Sequence, residues 1–267
     1  MSNWPWWLLI TLFLGLLIVY SIITNERTQN IFFILSRGLV VTVAVALTAY
    51  ALALVIGLVV GLGRVSQNKL VFNLAAFYVE VVRGIPILVL LLYTAFVGVP
   101  LFVSAVNAVG AWLVAAGLGF GSWLTAMTTR DISLTVRATL ALGLAYGAFE
   151  AEIFRAGIQS IERGQVEAAR ALGMSYFQAM RHIVLPQAVR RVLPVLGNDF
   201  VAMVKDSSLV SVLGVSDITQ LAKLYASSTF LFFQTYSILA FLYLVMTIML
   251  TRLVRMLEAR LSRFRTA

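Results

Sequence analysis

The chain has 267 residues, 61% of them hydrophobic and 12% charged, with a mean hydropathy of +0.97; a soluble globular domain is roughly 45–50% apolar and about 25% charged. It has no cysteine and a single histidine, His182, which excludes a disulfide framework, a thiolate metal site, a cysteine nucleophile and a histidine cluster. The formal charge of +9 does not imply nucleic acid, because basic residues in a membrane protein first report which loops face the cytoplasm.

The opening MSNWPWWLLITLFLGLLIVYSII lacks the basic n-region and small-residue cleavage site of a removable signal peptide. It predicts a retained helix over Trp6–Ile23 with Trp4, Trp6 and Trp7 at the interface, followed by an external linker to residue 37. A span needs about 20 apolar residues to cross a ~30 Å hydrocarbon core. Further spans are predicted at Gly38–Leu62, Gly84–Val103, Ile132–Phe154 and Gln234–Leu250, and Leu193–Gly214 is apolar but interrupted by Asn198, Asp199, Lys205 and Asp206. Gly57 with Gly61, and Gly143 with Gly147, have the spacing that lets helix backbones approach; chance in a glycine-rich chain is the other reading.

The segments 63–84, 155–193 and 251–267 together hold 14 of the 20 Lys+Arg, while Arg27, Arg37, Arg130, Arg137 and Lys223 fall on the other side. The positive-inside rule places the first group in the cytoplasm. A full crossing by Ala105–Met127 would reverse everything after it, so residues 104–131, with GLGFGS, Trp112 and Trp123, are expected to be re-entrant or externally packed. Six crossings then leave both termini cytoplasmic. The basic tail RLVRMLEARLSRFR continues the last helix as an anchor that anionic lipid attracts, and Phe230, Phe232, Phe233 and Tyr236 suit an interfacial belt.

Residues 155–193 are too structured for a linker. SIERGQVEAARALG and SYFQAMRHIVLPQAVRRVL are each helix-compatible; Gly173 between them can take the positive φ that ends a helix, and Pro186 is expected to break or kink the second piece. The expected result is a compact plug exposing Glu167, Ala168, Ala169 and Leu172; periodicity alone also allows an amphipathic segment resting on the inner leaflet. Glu167-Ala168-Ala169, three residues, Gly173, nine residues, Ile183, one residue, Leu185-Pro186 matches the EAA motif of ABC importer permeases at every fixed position. EVVRGIPILVLLL (80–92), AEIFRAGIQSIERGQ (151–165) and LGNDFVAMVKDSSLVSVLGVSDIT (196–219) resemble the permeases for polar amino acids of the histidine/glutamate/glutamine type.

This resemblance, over roughly residues 38–103 and 132–262, implies an all-α, polytopic transmembrane bundle: a type I importer core of five helices plus an extra N-terminal helix. The layout is then residues 1–37 (helix and linker), 38–262 (permease domain with insertion 104–131 and coupling loop 155–193) and 263–267 (tail). It also implies a multi-pass protein of the bacterial cytoplasmic membrane that pairs with a second, identical or related permease. An ATPase dimer would dock on the loop through Glu167, Ala168, Ala169 and Leu172, with Gly173 as the bend and Ile183, Leu185 and Pro186 completing the motif, and a periplasmic or extracellular solute-binding protein would deliver the amino acid. The chain has no G-x-x-x-x-G-K-[ST] phosphate loop, so it needs no cofactor of its own; ATP and Mg belong to the partner.

Within the spans, Lys205 and Asp206 are costly, at ~2.5–3.5 kcal/mol per bare charge. Either they face the ammonium and carboxylate of a zwitterionic substrate or they are tied up in interhelical pairs, the favoured reading. Ser207 and Ser208 offer hydroxyls to loosened backbone if the helix bends there. Glu150, without a local partner, is the preferred contact for a cationic substrate group, and Asn198 and Asp199 share its route. Glu80 with Arg83 and Glu152 with Arg155, each at i,i+3, are expected ion pairs at the inner end. A secondary transporter driven by an ion gradient, with Lys205, Asp206 and Glu150 as relay, is the alternative, but it has no use for a docking loop. An intramembrane enzyme lacks any H-E-x-x-H or G-x-S-x-G motif.

Overall fold

The computed structural model describes residues 6–263. Trp4 and most of the expected 263–267 tail lie outside the described residues, as does the side chain of Trp7. The described residues form helices and turns only. In chain order these are α1 (Trp6–Thr24), α2 (Glu26–Arg64), α3 (Lys69–Gly84), α4 (Ile87–Tyr93), α5 (Val99–Ala115), α6 (Gly121–Thr125), α7 (Leu134–Gln159), α8 (Arg163–Ala171), α9 (Tyr176–Ala179), α10 (Leu185–Asp206), α11 (Ile218–Thr229) and α12 (Phe232–Arg263). By length and composition alone, Glu26–Arg64, Ile87–Ala115 and Phe232–Leu257 can cross a membrane. The apolar part of α1 is shorter, Leu8–Thr24, and α7 and α10 carry charges along their length. The five-helix core is α2, α4–α5, α7, α10–α11 and α12, with α1 added on one side.

The expected linker is not a linker. The Asn25 side chain accepts from the N–H groups of Arg27 (2.9 Å) and Thr28 (3.4 Å) and so starts α2 at Glu26. Ile31, Leu35, Gly38 and Thr42 form a buried stripe at helical spacing. The first two pack against Ile218, Ala222 and Ile238, while the exposed Gln29, Asn30 and Arg27 had masked this stripe from a hydropathy reading. Gly38 is buried because a Cβ there would lie 2.6 Å from the backbone nitrogen of Ile218.

α2 packs along α7, and both glycine pairs lie in that contact. A Cβ on Gly57 would run into Glu150, one on Gly61 would sit 2.9 Å from Ala151 O, and ones on Gly143 and Gly147 would crowd Leu52 and Ile56. The segment after α2 is also helical: Asn68 caps α3, whose Tyr78 hydroxyl donates to Leu144 O at 2.5 Å. The R-G-I-P stretch therefore straddles a helix end and does not open a helix at Gly84. Ile85 is extended ahead of Pro86, as a residue before proline prefers, and Pro86 stands just before α4.

Two π-turns, Thr94–Gly98 and Met180–Val184, each end two residues before a proline, Pro100 and Pro186. A proline inside a helix removes one hydrogen bond and clashes with the carbonyl four residues back; a wider turn relieves that clash. Pro186 accordingly does not break the chain, and α9, the π-turn and α10 run on as one rod with Pro194 also inside it. At the first π-turn the freed Ala95 carbonyl accepts from Arg137 (3.1 Å), which also donates to Ile132 O (2.9 Å) and Thr129 O.

Residues 104–131 fold back on themselves. α5 ends at Gly117, φ +78°, with Leu118 N–H donating to Leu113 O at 3.0 Å. α6, five residues and only about 7.5 Å long, then lies against α5, where a Cβ on Gly110 would be 2.8 Å from Gly121 O. Trp112 and Trp123 are exposed on this hairpin.

Candidate functional site

Two interruptions of the helical bundle collect the chemistry. The first is the knob between α7 and α10. Its small core is Ile158, Ile161, Val184 and Ala188, with Val166, Met180 and Leu185 against it. α8 ends at Gly173, φ +82°, where Gly173 N–H donates to Arg170 O (2.9 Å) and Met174 N–H to Ala169 O (3.1 Å), the pairing that an αL residue permits. Ser175 then caps α9 reciprocally with Gln178 (3.3 and 2.8 Å). Gln187 Nε2 donates to Gln165 Oε1 at 2.5 Å and Arg191 donates to Ser160 O, fastening α8 and the foot of α7 to the rod.

Glu167, Ala168, Leu172 and Gly173 are exposed, Leu172 at 81%. Ala169 is not: it is 4% exposed, because α8 turns that face toward the knob's interior, and the expectation that it lies on the surface is corrected. Ile183 and Leu185 are half-buried and Pro186 is exposed. Two residues that sequence reasoning missed join the surface beside Leu172: Tyr176 and Phe177, the latter 69% exposed. The signal was present, two large aromatics directly after a helix-capping serine where α9 has no interior to bury them in.

The second interruption is deep in the bundle. The expected single span Leu193–Gly214 is split: α10 stops at Asp206, Ser207–Leu213 is a 3₁₀ turn, Gly214 has φ +81°, and Asp217 caps α11 through Gln220 N–H at 2.8 Å. The Tyr146 hydroxyl donates to Asp206 Oδ2 at 2.8 Å, and Ile218 N–H donates to Thr42 Oγ1 at 3.2 Å. Tyr146 is twelve residues into α7 and Thr42 sixteen into α2, so the break lies about 18–24 Å from those helix starts. Ser207, buried, donates to Val204 O at 2.8 Å, and Ser208 is half-buried.

Three carboxylates share one neighbour, Tyr146. Glu150 on α7 is completely buried and neither of its oxygens has a hydrogen-bond partner. Asp199 and Asp206 lie two turns apart on α10, and all three are within electrostatic range of Tyr146. Tyr50, beside Glu150, donates to Leu196 O at 2.5 Å and stacks at a tilt on Phe200 (5.1 Å). No lysine or arginine is paired with any of the three among the described residues. An acidic cluster beside two tyrosines favours a cationic or hydrogen-bond-donating group near it. Lys205 and Asp206 are not paired alike: Asp206 is held by Tyr146, whereas Lys205 is exposed.

Of the two expected ion pairs, Glu152 with Arg155 forms, at 2.9 Å from Nε to Oε2. Glu80 with Arg83 does not. Glu80 lies 3.7 Å from Arg64, which also reaches Glu152 at 3.8 Å, and the Arg83 guanidinium stands 5.5 Å over the Phe149 ring. The packing of α3 against α2 and α7 offers each a better neighbour than its own helix does.

A family model described as the binding-protein-dependent transport system inner membrane component matches residues 53–263. The chain belongs to that family. Among curated relatives, it is 38% identical over 222 residues (83% of this chain, 90% of the relative) to a probable glutamine ABC transporter permease protein of Bacillus subtilis (strain 168). It is 32% identical over 229 residues (86% and 93%) to the histidine/lysine/arginine/ornithine transport system permease protein of Escherichia coli (strain K12). Among solved structures, a crystal structure of an amino acid ABC transporter with histidines is similar at TM-score 0.69 and 34% identity, covering 89% of this chain and 97% of that one. A methionine ABC transporter in an inward-facing conformation shares the fold at TM-score 0.65 and 20% identity, covering 86% and 96%. The chain is thus a multi-pass membrane protein of a transport system, a polytopic helical bundle of the ABC importer permease type.

Proposed function

We propose that this chain is the pore-forming half of an ATP-driven importer for polar amino acids, alternating between outward-open and inward-open forms. The observation that carries it is the knob: a rigid, capped element tied to α7 and α10 that leaves Glu167, Ala168, Leu172, Tyr176 and Phe177 outside. Large apolar side chains fixed on a structured surface mark an interaction site, and here the partner is an ATPase dimer that holds the ATP and Mg this chain has no motif for. The basic segments near α8 and the end of α12 support a cytoplasmic knob and cytoplasmic termini, with the α5–α6 hairpin and the α11–α12 turn on the outer side to meet a solute-binding protein. A second, identical or related permease completes the pathway.

The substrate follows the chemistry of the deep break. Glu150, Asp199 and Asp206 with the two tyrosine hydroxyls form the pole that receives an ammonium, with Asn198, Ser207 and Ser208 along the route. Glu152, Arg155, Arg64 and Glu80 knit the cytoplasmic ends of α2, α3 and α7. The test is uncoupling: Glu167→Lys or Gly173→Asp leaves the protein inserted and monodisperse but separates ATP hydrolysis from uptake in proteoliposomes. ATP-driven uptake at the wild-type rate in both variants refutes the docking role.

A further inference from the structure

α1 lies outside the residues 53–263 that the family model matches, and it does not close against the bundle. It packs on both α2 and α12, yet a groove of about 740 Å³ stays open between α1 and α12, lined by Leu14, Gly15, Ile18, Phe241 and Leu244 among others. An apolar groove of this kind is not a place for water. Its dimensions say what fills it. From Thr11 to Ser21 it follows ten residues of α1, and from Phe233 to Leu244 eleven of α12, about 15–17 Å of helix, which is half of a ~30 Å hydrocarbon core. Spread over that length, 740 Å³ is a cross-section of roughly 50 Å², less than the ~80–110 Å² of a helix 10–12 Å across. A void of about 150 Å³ takes one benzene, six carbons, so this one holds on the order of thirty, the hydrocarbon of two acyl chains.

The groove also has a polar end. Apart from Thr11 and Ser237, its polar side chains are Ser21, Thr28 and Gln234, which gather where α1 turns into α2; there Ser21 Oγ donates to Thr28 Oγ1 at 3.2 Å. Phe232, Phe233 and Tyr236 are exposed at the same end, as aromatic side chains at headgroup level are. Just ahead of Thr28, Glu26 and Arg27 are exposed and make no ion pair among the described residues. Adjacent helical residues do not face each other, so the carboxylate and the guanidinium are both offered outward. That is the complement of a headgroup that carries an ammonium and a phosphate.

We propose that the α1–α12 groove seats one two-chain zwitterionic phospholipid, its chains along Leu14, Gly15, Ile18 and Phe241 and its headgroup at Glu26 and Arg27. The lipid fills the space that α1 leaves and so fixes this added helix to the permease core. The inference needs only that these helices lie in a bilayer; it depends neither on the substrate nor on which leaflet is the outer one.

The test uses the full-length permease with its co-purified partners, stripped of lipid in mild detergent and titrated with palmitoyl-oleoyl phosphatidylethanolamine. Native mass spectrometry is expected to show one lipid retained per chain, and the melting temperature to rise by about 5–10 °C at a hundredfold excess over the dissociation constant. A Cβ on Gly15 meets only Phe241, at 4.0 Å, so Gly15→Phe grows a ring into the groove; it loses both the retained lipid and the thermal response, whereas Gly15→Ala keeps both. Replacing both charges, Glu26→Gln with Arg27→Gln, weakens binding about tenfold or more. Phosphatidylglycerol, which lacks the ammonium, binds wild type more weakly by a similar factor. Retention of lipid and thermal response in Gly15→Phe overturns the proposal, as does a wild type that retains no lipid. Equal binding of the two headgroups overturns it too. Dissociation of a paired permease by Gly15→Phe, with no response of wild type to lipid, also overturns it, since the groove would then be the seat of a neighbouring helix.

Discussion

The knob at residues 160–184 and the break at 206–217 are built with the same local devices and put to opposite use. Each stops a helix at a glycine in the left-handed region, Gly173 at φ +82° and Gly214 at φ +81°. Each restarts with a side-chain cap, Ser175 and Asp217. Around the first, apolar side chains are left outside; around the second, polar ones are put inside. The difference is one of surroundings. An interruption in water has its backbone groups satisfied by solvent and can spend its side chains on a partner, whereas one among packed helices must find every hydrogen bond within the protein, and the groups that remain unmet, Glu150 and Lys205, stand out as chemistry.

The sharpest way to break this comparison is the same substitution at both glycines. Holding an L-residue in the left-handed region costs roughly 1–2 kcal/mol. Gly214→Val sits where α10, α11, α7 and α2 meet, so it lowers the melting temperature of the whole protein by about 3–8 °C. Gly173→Val leaves that temperature nearly unchanged and shows as faster hydrogen exchange over 163–180, because the knob opens locally. Equal thermal shifts would mean that the two interruptions are not mechanically different. Next in size is Glu150→Met, which replaces a buried carboxyl without hydrogen-bond partners by an apolar side chain of similar length; relief of roughly 1–3 kcal/mol raises the melting temperature by a few degrees, while Glu167→Met at the surface leaves it unmoved. A drop for Glu150→Met would reveal a partner for the carboxyl. The smallest effect is at a cap: Ser175→Ala costs about 1 kcal/mol locally, detected as quicker proteolytic nicking between 172 and 180 with no global change.

Legibility in the sequence followed the range of the forces involved. The knob was readable because its signals are local: the E-A-A, G and L-P positions are fixed by one helix end and the next helix start. The exposed Tyr176 and Phe177 escaped because spacing alone does not say which face of the rod's first turn the knob leaves uncovered. The start of α2 was missed because Gln29, Asn30 and Arg27 dilute the hydropathy of a stripe buried on one side only. The break was hidden in a run of apolar residues, although Lys205, Asp206, three serines and Gly214 in ten positions were the signs of a helix that does not continue. Glu80 with Arg83 failed for a different reason: spacing along one helix names the possible partner and cannot weigh Arg64 and Phe149 on neighbouring ones.

The wide turn at Met180–Val184 lets the chain pass a proline without a stop, and from Tyr176 to Asp206 it is a single shaft about 45 Å long. A lever of that length has no slack to absorb movement at its handle. Under the docking proposed above, a tilt of about 5° at the knob would carry the opposite tip through roughly 4 Å, comparable with the width of a water molecule plus a bond.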